Sequence, residues 1–101
     1  MKVLKGVLNE ELARLKAVEK SYLRELAKLP KGSIQKKRIK GVLYVYLAFR
    51  KGERVVTSYQ GRPSQDELKK LGETVDLRKK YERLLREVRN NQRRIERMIH
   101  G

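Results

Sequence analysis

The sequence predicts an α+β protein: an antiparallel, coiled-coil-like helical hairpin with a three-stranded antiparallel β-meander between its two helices. Three observations carry this. Apolar residues recur at helical spacing as far as Leu29, a period of two takes over between Ser33 and Gly61, and helical spacing returns after Ser64. A breaker cluster, Leu29-Pro30-Lys31-Gly32-Ser33, closes the first stretch, and Pro63-Ser64 opens the third. With 101 residues the chain is the size of one small domain, so a cleft between two lobes is not expected.

The first helix is expected over residues 4–29, where Leu8, Leu12, Leu15, Tyr22, Leu26 and Leu29 form one stripe at steps of three, four or seven. Glu19 takes the slot the stripe would fill next, with Val18 and Leu23 beside it, so the seam shifts at mid-helix. Gly6 weakens the first turns and predicts a regular start near Val7 or Asn9, where Asn9-Glu10-Glu11 offers a cap and first-turn carboxylates. Pro30 ends the helix because its nitrogen cannot donate to the ladder.

The meander is expected over residues 33–61. Lys40-Gly41 and Lys51-Gly52 are turn dipeptides that cut it into Ser33–Lys40, Val42–Arg50 and Glu53–Gln60. The central run is apolar on both faces, with Val42, Tyr44, Tyr46 and Ala48 on one and Leu43, Val45, Leu47 and Phe49 on the other. One face must therefore meet the helices or a second copy of the sheet.

The long helix is expected over residues 64–99, opened by the capping-box spacing of Ser64 and Glu67. Leu77, Tyr81, Leu84, Val88, Asn91, Ile95 and Met98 alternate steps of four and three, a coiled-coil seam in which Asn91 would fix register. Gly72 predicts a bend or local break. At about 1.5 Å per residue this helix outruns the first, leaving Val88, Ile95, Met98 and Ile99 without cover, and a homodimer is the expected remedy.

Composition excludes several classes of activity. There is no Cys, so disulfides, thiolate metal sites and thiol catalysis are absent, and the one His, His100, sits beside the last residue, where chain ends fray. Glu10-Glu11 and Asp66-Glu67 read as first-turn carboxylates rather than an acid–base pair. No phosphate-binding loop, dinucleotide fingerprint, zinc-protease or EF-hand motif occurs. No enzyme, cofactor, metal site or small-molecule substrate is expected. No long apolar run or signal-peptide core is present, so a cytoplasmic protein without membrane contact is expected.

Charge is the informative quantity. With 27 Lys+Arg against 12 Asp+Glu the chain carries a formal charge of +15. Residues 33–63 hold 8 basic groups and 1 acidic group, nearly half of the excess in under a third of the chain. Lys36, Lys37, Arg38 and Lys40 crowd the first strand, Arg50, Lys51 and Arg54 surround the second turn, and Arg62 lies at the exit. Edge-strand lysines also guard against aggregation, but this excess is more than such protection needs, and phosphate backbones are the commonest cellular polyanions. A second basic surface is the helix face bearing Lys79, Arg83, Arg86, Arg93 and Arg97, where arginine suits bidentate phosphate contact. Tyr44 and Tyr46, with Tyr59 beside them, are expected in the core with their hydroxyls at the rim; the alternative is a platform for stacking bases.

The run from Lys31-Gly32-Ser33-Ile34 through Lys37-Arg38-Ile39-Lys40-Gly41 and Tyr44-Val45-Tyr46-Leu47 to Tyr59-Gln60-Gly61 resembles an uncharacterised prokaryotic domain family. In that family a Tyr-rich basic β-hairpin precedes a long charged helix. Similar hairpins occur in small DNA-binding sheets, including the arm-binding domains of tyrosine recombinases. The resemblance implies the mixed fold and favours DNA over RNA. The expected function is thus non-enzymatic nucleic-acid binding through the basic sheet and the Arg-rich helix face. The alternative is a structural or interaction protein that docks an acidic partner or oligomerises.

Overall fold

The computed structural model describes residues 2–101, in the order α1 (Lys2–Ala27), β1 (Ser33–Ile39), β2 (Val42–Lys51), β3 (Arg54–Gly61) and α2 (Gln65–His100). Two helices with a three-stranded antiparallel sheet between them make this an α+β fold. Two compact units share α2: the sheet unit, Leu29–Lys79, and a helical unit formed by the stretch up to Lys28 with Lys80–Gly101.

In the helical unit α1 starts earlier than its glycine suggests, running from Lys2 through Gly6 without interruption. Asn9-Glu10-Glu11 is therefore no cap. Glu11 instead accepts a hydrogen bond from Arg14 Nε at 2.9 Å, one turn on. The helix closes at Ala27, and Lys28 N–H donates to the Glu25 carbonyl at 3.2 Å as Pro30 approaches.

The two helices of this unit run antiparallel, since Glu19 meets Arg89 and Gln92 while Tyr22 meets Tyr81 at 5.8 Å between ring centroids. The seam of α2 differs from the expected one. Leu85 and Val88 are buried and Tyr81, Gln92, Ile95 and Ile99 half-buried, whereas Leu77 is 40% exposed, Met98 66% exposed and Asn91 outside. Leu84 keeps a half-buried place beside Leu85, while beyond Val88 the alternate seam positions lie one residue along, so Gln92 rather than Asn91 supplies the polar seam contact. Glu19 stands beside this seam, where its carboxylate accepts from Arg89 Nε at 2.8 Å and Gln92 Nε2 at 3.3 Å, contacts that the shifted seam allows. Val88 is thereby covered by its own chain, contrary to the expected overhang.

Arg89 first, and Gln92 second, hold the Glu19 carboxyl below its ordinary value of 4.5. A depressed carboxyl stabilises the fold above its unfolded pKa, and that contribution is lost as pH falls through the folded value. With Arg89 half-exposed, Glu19→Gln should cost about 0.5–1 kcal/mol at neutral pH. In thermal melts at several pH values, the gap from the parent protein should close as pH is taken below 4.5.

In the sheet unit the order is β1-β2-β3. Ile39 pairs with Val42 across Lys40 and Gly41, whose φ of 50° and 79° give the two left-handed positions that a type I′ turn requires. Lys51 pairs with Arg54 across Gly52, left-handed at the first central position as in a type II′ turn. Between Tyr46↔Tyr59 and Val45↔Gly61 the register shifts, leaving Gln60 as the extra residue of a bulge that turns the chain out of the sheet. The Gln60 amide folds back onto the Ser58 carbonyl and hydroxyl, each at 3.2 Å.

Of the two apolar faces of β2, the one bearing Val45 and Leu47 is turned inward and fully buried, with Leu43 and Phe49 half-buried beside them. In the same unit α2 brings Leu68, Leu71 and Val75 to one side, of which Val75 is buried. Ser64 caps this helix, its hydroxyl accepting from Glu67 N–H at 3.2 Å and donating to Glu67 Oε1 at 3.1 Å. Arg78 Nη1 donates to the Leu29 carbonyl at 2.8 Å, which ties the helix to the segment entering β1. Gly72 does not break α2, which is continuous from Gln65 to His100. A single helical glycine costs about 1 kcal/mol, less than a long helix gains from its packed face.

The other face of β2 is only partly covered: Tyr44 and Tyr46 are half-buried, and of its residues only Ala48 is buried. Its neighbours Gln35, Lys37, Ile39, Val55, Thr57 and Tyr59 are all exposed, so this is the outer face of the sheet. Burying Tyr44 and Tyr46 under the helix would have required exposing Leu43, Val45, Leu47 and Phe49, which have no hydroxyl to hydrate.

Candidate nucleic-acid interface

The outer face is built by β-pairing. Tyr46 lies directly opposite Tyr59, with ring centroids 5.2 Å apart, and Tyr44 reaches Tyr59 diagonally at 6.4 Å. Lys37, paired with Tyr44, extends its ammonium over the Tyr46 ring at 5.4 Å from the centroid. The result is three rings in contact on adjacent strands with a cation resting on one of them. Tyr59 is 55% exposed, while Tyr44 and Tyr46 are half-buried, partly by Tyr59. No strand of the sheet carries an Asp or Glu; Glu53 lies in a turn.

The basic residues of the sheet do not form one patch. Alternation sends Lys37 and Arg50 to the outer face, while Lys36 and Arg38 stand on the opposite side of edge strand β1. Lys40 occupies the first hairpin tip. Lys51 and Arg54 flank the second turn at the far end of β2, about 30 Å away at 3.3 Å per residue, and Arg62 follows the last strand. All are exposed.

The helical basic face is also exposed. Arg83, Arg86, Arg93 and Arg97 stand clear of the seam. Arg86, Arg89 and Arg93 line a shallow groove with Glu82 and Leu85, and Arg93 is held in place by Asn90 Oδ1 at 3.1 Å. Arg89, which the sequence reading did not single out, is the member engaged by Glu19.

Among the described residues no three His, Cys, Asp or Glu side chains gather as a metal ion would need. Nor is any helix of the described residues long and apolar enough to cross a membrane. No family model, curated protein or solved structure matches the chain. What it does must follow from its own residues.

Proposed function

We propose that the protein binds nucleic acid without catalysis, DNA ahead of RNA, contacting phosphates through its basic sheet and the arginine face of α2. The observation that carries this is the uncovered outer face of the sheet, where Lys37 lies over Tyr46 and no strand residue is acidic. Such a face attracts a polyanion at long range and offers its rings at contact. DNA is placed ahead of RNA because the Tyr-rich basic hairpin pattern of the sequence resembles that of recombinase arm-binding domains. The decisive experiment is competition at fixed ionic strength among duplex DNA, single strands, RNA and an acidic polypeptide such as polyglutamate.

Affinity for random-sequence DNA should be micromolar or tighter at low salt, with log K falling linearly in log[salt]. Reversing Lys37 and Arg50 to Glu should flatten that slope by about 1–2 units, since each phosphate contact contributes about 0.7–0.9. Reversing Arg83, Arg93 and Arg97 tests the helix in the same way. Unchanged affinity and slope would remove the altered surface from the interface, and preferential capture by polyglutamate would replace nucleic acid with an acidic protein partner.

Self-association is part of the same proposal. Val3, Leu4, Val7 and Met98 are exposed, and antiparallel pairing brings the start of α1 beside the end of α2, so the apolar residues gather at one end of the helical unit. Sedimentation showing only an 11.9 kDa species at tens of micromolar would remove the dimer.

A further inference from the structure

We infer that the ligand of the outer sheet face is a nucleic-acid strand with unpaired bases, which stack on the cluster of Tyr44, Tyr46 and Tyr59. This rests on the nucleic-acid reading above and specifies the state of the strand. The middle of the face offers three rings in contact, with Gln35 and Thr57 beside them. Tyr59 presents more than half of its surface, and Ile39 and Val55 extend the apolar area to either side. Bases inside a duplex show their edges to the grooves and their π faces to each other, so this surface could use them only after unstacking, at a cost of a few kcal/mol per step. In a single strand the π faces are already free.

Three further features fit that ligand. Tyr44 and Tyr46 are two residues apart on one strand, roughly 6.6 Å at 3.3 Å per residue, so successive bases could meet successive rings. The tyrosine hydroxyls make no hydrogen bond to the described residues and remain available to phosphate or base. Lys37 already lies over Tyr46, with Arg50 on the same face, placing cations where a backbone tracking the rings would pass. A second copy of this face is the poorer occupant, because two strongly positive sheets repel each other while a polyanion is attracted.

The test compares oligothymidylate and oligouridylate of about 12 nucleotides with a mixed-sequence duplex of equal length, at one ionic strength, using the full chain. The single strands should bind more tightly than the duplex and quench tyrosine emission, which no Trp obscures. Tyr59→Ala should weaken both single strands about 5- to 150-fold and leave duplex affinity unchanged. Tyr59→Phe, which keeps the ring, should stay within about twofold. A duplex that binds as tightly as the single strands, or Tyr59→Ala without effect on them, overturns base stacking and leaves phosphate binding standing. Failure of the parent protein to bind any of the three overturns the nucleic-acid reading itself.

Discussion

Leu47→Ala is expected to lower stability by about 2–5 kcal/mol, read from urea or thermal unfolding. Leu47 is 2% exposed and stands mid-strand between Ile34 on β1 and Ser58 on β3. The buried apolar residues of its unit are few: Val45, Leu47, Ala48 and Val75. Val45 on the same face is held by strand pairing on both sides and cannot move far into the space that truncation would leave, so a cavity term adds to the lost transfer energy. Against the 5–15 kcal/mol typical of a whole domain, this is a large fraction. Leu47 faces away from the tyrosines. Below the melting transition, therefore, the variant should bind nucleic acid like the parent, which separates loss of fold from loss of surface. An unmoved midpoint would mean that the Val45–Leu47 face is not the packed one.

What could be read from the sequence was whatever a single residue type forces. Pro30 ends a helix, Ser64 with Glu67 starts one, and Gly41 and Gly52 place two hairpin turns; all of these stand where the pattern put them. What escaped was decided by a partner distant in the chain. The faces of β2 are both apolar, so alternation alone could not say which turned inward, and the choice went to the face with no hydroxyl to hydrate. The seam of α2 looks equally regular through Asn91 or Gln92, and the contact that distinguishes them, Gln92 with Glu19, is made to a residue some seventy positions earlier. Gly6 and Gly72 marked weak points by propensity, but two long helices absorb a single glycine each. The basic residues were visible as a count. Their division between the two faces and two ends of the sheet required the register.

Gly32→Ala is expected to cost about 3 kcal/mol or more, because two penalties coincide at that position. Gly32 has a φ of 113°, which a side chain disfavours, and it sits one residue before Ser33 pairs with Ala48. A Cβ there would lie 2.6 Å from the Ala48 carbonyl oxygen and 3.0 Å from its carbonyl carbon. Those are main-chain atoms of the central strand and cannot swing aside as a side chain would, so relief requires β1 and β2 to part. Gly41 provides the comparison. It is also left-handed, at 79°, but a Cβ on it would meet nothing within 4 Å. Gly41→Ala should therefore bear the conformational penalty alone, about 1–2 kcal/mol. Ala48 shares the outer face with Tyr46, two residues away, so forcing β2 outward at Gly32 should also disturb the tyrosine cluster and weaken strand binding by the molecules that remain folded. Equal losses of stability at Gly32 and Gly41, with binding intact in both variants, would show that backbone conformation alone, and not the approach to Ala48, requires glycine at the entrance to the sheet.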